Sequence, residues 1–249
     1  MSSQEEDIEE QWERTIVAFT SPYSLKDLCV PATSSETITN DIFKIRVAST
    51  ADRLDKANDL IRKKYAWRGY KVDGLEIQPN YVTLIAYATH DSIVGTMTLG
   101  IDSDSGLSVD KTFKPEIDGL RSEGRKIAEI TKLASETEFN SEQARAVLIH
   151  LIYIYARNIH GCTDFLIEIN PRHVDYYRKR LGFQALGDQK FCERVDAPAQ
   201  LMHIDLSYMS SQIELFGGLG GTNGGKSLYP YFLSTNDEIG ITKRLLRGK

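Results

Sequence analysis

The chain has 249 residues, 41% of them hydrophobic, enough for one substantial core, and a formal net charge of -5. Residues 1–13 hold six acids and no Lys or Arg, so the remainder is near neutral and lacks the broad positive field of a DNA-binding domain. No apolar run approaches the ~18–20 residues of a membrane span, and the acidic start is unlike a secretory signal, so the expected location is the cytoplasm.

Residues 1 to about 40 are polar. Ile8, Trp12 and Ile16, spaced by four, suggest a short helix, and a Ser-, Thr- and Pro-rich linker follows. The segment reads as a loosely attached extension. Order begins at Phe43–Ala48, a period-two strand. Ser49 to Asp52 starts a helix whose apolar stripe is Leu54, Ala57, Leu60, Ile61 and Tyr65. Val82–Thr89 and Ile93–Gly100, joined by a turn at His90-Asp91, form an antiparallel hairpin. After a polar excursion comes the strand Ile127–Ser135. Ser141 then caps a long helix carrying Ala144, Val147, Leu148, Leu151, Ile152 and Tyr155 on one face, closed by His160-Gly161. The buried-type strand Phe165–Ile169 leads through Asn170-Pro171 into a helix over His173–Leu181, ended by Gly182-Phe183. Leu201–Leu206 makes a late strand.

Cys29, Cys162 and Cys192 are far apart, with no Cys-x-x-Cys and no His pair at metal spacing, which points to buried thiols and to no metal site. The run Gly220-Gly-Thr-Asn-Gly-Gly225-Lys226-Ser227 satisfies G-x-x-x-x-G-K-[ST] letter for letter. That loop needs a buried strand before it and an amphipathic helix after it, with the helix N-terminus on the phosphates. Here Pro230 interrupts any helix at once, so the match is a decoy in a flexible Gly-rich tail. The expected organisation is an extension over 1–40, a catalytic domain over 41–210 and a tail over 211–249. The fold class is α+β, a central, mostly antiparallel mixed sheet flanked by helices.

The segment Ile167-Glu-Ile-Asn-Pro-Arg-His-Val-Asp-Tyr-Tyr-Arg-Lys-Arg-Leu-Gly-Phe183 resembles the closing strand–helix–Gly-Phe segment of the GNAT acyltransferases, and with the element order the resemblance covers about residues 43–208. Most GNAT enzymes hold coenzyme A with a glycine-rich turn before the long helix. This chain has Ser135-Glu-Thr-Glu-Phe-Asn-Ser-Glu-Gln143 there, with no glycine and three acids, which disfavours a pyrophosphate and leaves room for a single phosphate. Two related branches use the phosphopantetheine arm of acyl carrier protein: acyl-homoserine lactone synthases and long-chain N-acyl amino acid synthases. The chain resembles both in Arg62-Lys-Lys-Tyr65-Ala-Trp67, in Asp73-Gly-Leu-Glu76, in Gly95-Thr-Met-Thr-Leu99 and in Glu129-Ile-Thr-Lys132-Leu. It departs from the lactone synthases at Glu76-Ile-Gln-Pro-Asn-Tyr81, where their further carboxylates are missing, and Cys192–Met202 is more similar to the N-acyl amino acid synthases.

The resemblance implies an acyl carrier protein-dependent transfer of a long fatty chain to an amino acid's α-amine, with no tightly bound cofactor. A lactone synthase, an acetyl-CoA N-acetyltransferase and a non-catalytic acyl- or carrier-binding module remain alternatives. Glu129 is the candidate base, with a salt bridge to Lys126 or Lys132 as its competing role. A bulge at Thr131, Lys132, Leu133 and Ala134 would aim backbone N–H groups at the thioester carbonyl. Tyr177 is the candidate acid, not separable by spacing from Tyr176. Trp67, Tyr70, Met97 and Leu99 would line a channel for the acyl chain. An acidic carrier would dock on a basic patch, with Arg172, Arg178, Lys179 and Arg180 as one candidate and Arg62, Lys63, Lys64 and Arg68 as another. His150, His160 and His203 have no assignable nucleophile, which argues against a hydrolase triad.

Overall fold

A computed structural model describes residues 15–20, 42–48, 50–71, 80–88, 92–136, 142–220 and 225–247. Its strands are β1 (Thr15–Thr20), β2 (Ile42–Val47), β3 (Tyr81–Tyr87), β4 (Ile93–Ile101), β5 (Ile127–Ser135), β6 (Asp164–Ile169), β7 (Gln184–Ala185), β8 (Lys190–Cys192) and β9 (Ala197–Asp205). They form one sheet in the order β1-β2-β3-β4-β5-β6-β9-β7, with β8 paired to β9. Every pairing is antiparallel except β5 with β6. A parallel pair needs a crossover, and the helix between these two strands supplies it.

The helices are α1 (Ala51–Ala66), α2 (Asp110–Ser122), α3 (Glu142–Tyr153, running on as a π-helical stretch over Ile154–Ile159), α4 (Val174–Leu181), α5 (Leu206–Phe216) and α6 (Thr235–Arg247). Thr50 caps α1, its Oγ1 accepting from the Arg53 N–H at 3.4 Å, and the expected stripe Leu54, Ala57, Leu60 and Ile61 is buried. Strand alternation then sorts the core into layers. Leu84, Ala86, Met97, Leu99, Ala128, Phe165, Ile167, Met202 and Ile204 pack under α3 and the C-terminal elements. On the other face, Ile85, Tyr87 and Ala134 meet α1, while Ile127, Leu166 and Leu201 meet Phe113 and Ile117 of α2.

Several expectations are corrected. Ile16 lies in a strand, β1, and not in a helix; Ile8 and Trp12 lie outside the described residues. The polar excursion contains α2, the late strand begins at Ala197, and the boundary at 210 falls inside α5. The described C-terminal residues 225–247 are no loose appendage. Leu228, Tyr229, Phe232 and Ile241 are buried in the main core, and the Tyr229 hydroxyl donates to the Leu181 carbonyl at 2.7 Å. His150 of α3 ties the tail down. Its Nδ1 accepts from the Leu233 N–H at 3.1 Å, its Nε2 lies 3.1 Å from Glu238 Oε2, and its ring stacks on Phe232 at 5.0 Å. The physical reason is α3 itself, apolar nearly all round, whose outer side needs a cover. Ser141 and Cys29 lie outside the described residues; Cys162 and Cys192 are free and buried, and burial pushes the Cys162 thiol up to about 11.

Candidate active site

The site begins with a defect in the sheet. β5 pairs with β6 from Ile127↔Asp164 to Ile130↔Ile167, and no further pairing joins Thr131–Ser135 to β6. On its other side β5 is bulged against β4, because Thr96 pairs with Ala134 while Thr98 pairs with Thr131. Lys132 sits at the bulge in the left-handed region (φ 53), and its carbonyl accepts from Thr96 Oγ1 at 3.1 Å. The bulge expected from the sequence is therefore present at the expected residues. It turns the second half of β5 away from β6 and opens a split between them.

Glu129 lies just before the split, with 2% of its surface exposed. Its Oε1 accepts from the Tyr81 hydroxyl at 2.7 Å, from Ser108 Oγ at 2.6 Å and from the Ser108 N–H at 3.0 Å. Its Oε2 accepts from the Val109 N–H at 2.9 Å. These donors are hydroxyl and backbone N–H groups and not a lysine ammonium. The carboxylate instead fastens the loop that leads into α2, and the Tyr81 hydroxyl beside it is pushed well above its ordinary range by burial and by the Glu129 charge. Gly100 makes this possible: a Cβ there would stand 2.6 Å from the Tyr81 ring and 3.0 Å from Glu129 Cγ. Of the four acceptor positions on a carboxylate, Oε1 is filled and Oε2 retains one.

A cavity of about 910 Å³ occupies the split. Glu129, Thr131, Lys132, Leu133, Ala134, Met97, Tyr176 and Tyr177 all line it. Its innermost walls are apolar and buried, among them Met97, Phe165, Ile167, Leu181 and Phe183; Arg68, Lys71 and Lys111 are exposed and mark its mouth. Tyr177 packs edge-on against Tyr176 (5.3 Å) and Phe183 (6.0 Å), and burial raises its hydroxyl well above the ordinary range. Two guanidiniums lie over the Tyr176 ring, Arg145 at 6.0 Å and Arg180 at 5.9 Å from its centroid.

Two expected lining residues lie elsewhere. Trp67 is 84% exposed, because it sits two positions past Tyr65 and so off the buried stripe of α1. Leu99 is sealed in the core opposite Ile130, where β5 still pairs on both sides. Arg172, Arg178, Lys179 and Arg180 do not line the cavity. Arg178 and Lys179 reach Asp175 at 3.3 and 3.4 Å, and Arg180 pairs with Glu142. Arg172 comes nearest, donating to the hydroxyl of the cavity-lining Tyr70 at 3.2 Å. In the other basic run, Lys63 and Lys64 hold Glu136 at 2.6 and 2.5 Å, Arg62 stands 3.6 Å from Asp59, and Lys64 and Arg68 line the cavity. The glycine-free turn at 137–141 and the segment 72–79 lie outside the described residues.

Residues that sequence reasoning missed are Ser108, Arg145, Glu168 and Arg194, all cavity-lining. Arg194 donates to Glu168 Oε2 at 2.6 Å. His173 also lines the cavity, and burial together with Arg172 and Arg68 lowers its pKa. His203 and Asp164 form a pair at 2.6 Å away from the cavity. Among the described residues, no helix is long and apolar enough to cross a membrane, and no group of three or more His, Cys, Asp and Glu is placed to hold a metal.

A mixed sheet whose central parallel pair splays at a bulge, with the cavity in the splay, is the architecture of the GNAT fold, and the enzyme is an N-acyltransferase. The chain belongs to the N-acyl amino acid synthase family FeeM, whose family model matches residues 56–205. The solved structure of FeeM, an N-acyl amino acid synthase from uncultured soil microbes, is 26% identical with a TM-score of 0.60, over 68% of this chain and 93% of that one. An acyl-CoA N-acyltransferase from Pseudomonas aeruginosa is 16% identical (TM-score 0.46; 65% and 97% of the two chains). The CoA-dependent acyl-homoserine lactone synthase BjaI is 14% identical (TM-score 0.43; 61% and 74%). No curated protein matches the chain in sequence.

Proposed function

We propose that the enzyme moves a long-chain fatty acyl group from the phosphopantetheine thioester of an acyl carrier protein to the α-amine of an amino acid. The observation that carries this reading is the two-sided cavity at the β5/β6 split. Towards α3 it is walled by buried apolar side chains, a setting suited to an alkyl chain; towards α2 it presents Glu129, Glu168 and Arg194. Its volume of about 910 Å³ is at the upper end of small-molecule sites.

In this reading the thioester carbonyl lies at the split and backbone N–H groups of Lys132, Leu133 and Ala134 polarise it. Glu129 takes a proton from the arriving ammonium through Oε2, directly or by way of water. The amine nitrogen attacks the carbonyl carbon, the C–N bond forms and the nitrogen gives up its second proton to water; the C–S bond then breaks, and the thiolate leaves with the sulfur electron pair before taking a proton. A thiol of pKa ~8.5 is a good leaving group. Tyr177, with its pKa raised by burial, is a weak proton donor, so solvent can protonate the thiolate. The acidic carrier docks over Arg68, Lys71 and Arg172 at the mouth.

The test supplies palmitoyl carrier protein or palmitoyl-CoA with a pool of the twenty amino acids and reads products by mass spectrometry. An N-palmitoyl amino acid formed from the carrier is the expected result. Formation from coenzyme A alone overturns the donor, and no amide from either overturns the reaction.

A further inference from the structure

We propose that Arg194 anchors the α-carboxylate of the amino-acid acceptor, an inference that rests on the reading above and names the residue that makes an amino acid, rather than a simple amine, the acceptor. Arg194 belongs to the turn Glu193–Asp196 between β8 and β9. Two features fix that turn. Asp196 is left-handed (φ 56), and its carboxylate lies 3.5 Å from Lys71 Nζ at the cavity mouth. Val195 N–H also donates to the carbonyl of the buried Cys192, at 3.3 Å. The Arg194 side chain, 20% exposed, is thereby part of the cavity wall.

A guanidinium offers five N–H donors in a planar fork that matches a carboxylate. Here one is used on the protein, Nη2 to Glu168 Oε2 at 2.6 Å. The Nε is buried and has no hydrogen-bond partner, an uncommon state for a buried donor. Burial works against the charge of Arg194, but Glu168 and Glu129 outweigh it and hold it protonated. Inside the exposed Lys71 and Lys111 of the mouth, Arg194 and two carboxylates thus share a wall, the complement of an amino-acid zwitterion: carboxylate to Arg194, ammonium towards Glu129 and Glu168. Arg145 also has a buried Nε without a partner, but it lies on α3, across the sheet from Glu129, and so is not placed to hold the acceptor.

The experiment offers palmitoyl carrier protein an equimolar mixture of the twenty amino acids and their twenty α-carboxamides. Wild type should acylate acids in preference to amides by about 100-fold, and Arg194→Met should reduce that preference to less than about threefold. The variant should raise the acceptor KM and leave the donor KM unchanged, whereas Arg194→Lys should keep part of the preference. Wild type that uses amides as readily as acids, or Arg194→Met that keeps the wild-type preference, overturns the proposal; the first comparison needs no variant to fold. If wild type forms no amide at all, the synthase reading fails, and saturation-transfer NMR with the same mixtures decides on Arg194. Binding selective for acids and lost in Arg194→Met supports it; unselective or absent binding overturns it.

Discussion

Glu129→Gln separates the loop-fastening role of this carboxylate from its proposed role as base. In the wild type Oε1 receives Tyr81 and Ser108, and Oε2 receives the Val109 N–H. A glutamine can keep its oxygen at the Oε1 position, but its NH2 then faces the Val109 N–H. One charge-assisted bond is lost and a buried donor is left opposed by another donor. Together these cost about 2–4 kcal/mol, which for a chain of 249 residues lowers Tm by roughly 5–15 °C. Thermal melting reads that loss. Amide formation at 10 °C below the variant's own midpoint reads the base role, where kcat should fall by about 10²–10⁴. Tyr81→Phe is the control: it removes one donor to Oε1, leaves Oε2 intact, and should cost about 1–2 kcal/mol with less than about a tenfold fall in kcat. A Glu129→Gln protein that melts with the wild type would refute the loop-fastening role. One that melts early but turns over normally when folded would refute the base.

Four further outcomes are expected. Lengthening the acyl donor should raise kcat/KM by roughly fourfold per methylene, from ~0.8 kcal/mol each, until the cavity is filled; Met97→Trp should shorten the optimum, read by competing donors of mixed length. Tyr177→Phe should keep kcat within about threefold, since burial makes that hydroxyl a poor acid. Gly100→Ala should displace the Tyr81 ring and lower stability by about 1–3 kcal/mol in a denaturant melt. Asp164 is fully buried, which would raise its pKa, but bonds from His203, Arg125 and Thr163 prevail and hold it at about 2. Its stabilisation, about 2 kcal/mol, is therefore present above pH 4 and lost as pH falls towards 2, and Asp164→Asn should flatten the melting temperature across that window.

The parts of the fold that were legible in the sequence are those whose burial is periodic: β3, β4, β5 and β6, and the stripes of α1 and α3. The bulge at Lys132 and the candidate roles of Glu129, Met97 and Tyr177 came from the family resemblance and not from any periodicity. Elements held by few or distant contacts were not legible. α2 buries only Phe113 and Ile117, is kinked at Phe113 and contains Pro115, so its periodicity is thin. Tyr229 finds its partner 48 residues away at Leu181, and Arg194 finds Glu168 26 residues away; no local pattern marks either. The phosphate-loop decoy is explained in the same terms. After Lys226-Ser227 the chain enters the turn Tyr229–Tyr231, with Ser227 Oγ accepting from the Tyr229 N–H, and a helix begins only at Thr235.

Apart from a register shift between β3 and β4 at Ala86 and Tyr87, the departures from regular sheet on this chain's inner strands gather in one place. The bulge with its left-handed Lys132, the pairing to β6 abandoned after Ile130, the buried carboxylate of Glu129 and the close approach at Gly100 all fall on β5 or the strand beside it. Each has a cost: a left-handed residue that is not glycine costs about 1–2 kcal/mol, and a buried charge must be met by donors. A sheet under selection for stability alone would have carried the β6 pairing on past Ile130 and placed an apolar residue at position 129. Such costs persist where surrounding packing enforces them, and α1, α3 and the C-terminal segment all brace this region. In the proposed function, the same split that weakens the sheet gives an alkyl chain and a zwitterion access to one carbonyl from opposite faces. This is why we propose the chemistry at β5 and not at the more exposed basic run of α4.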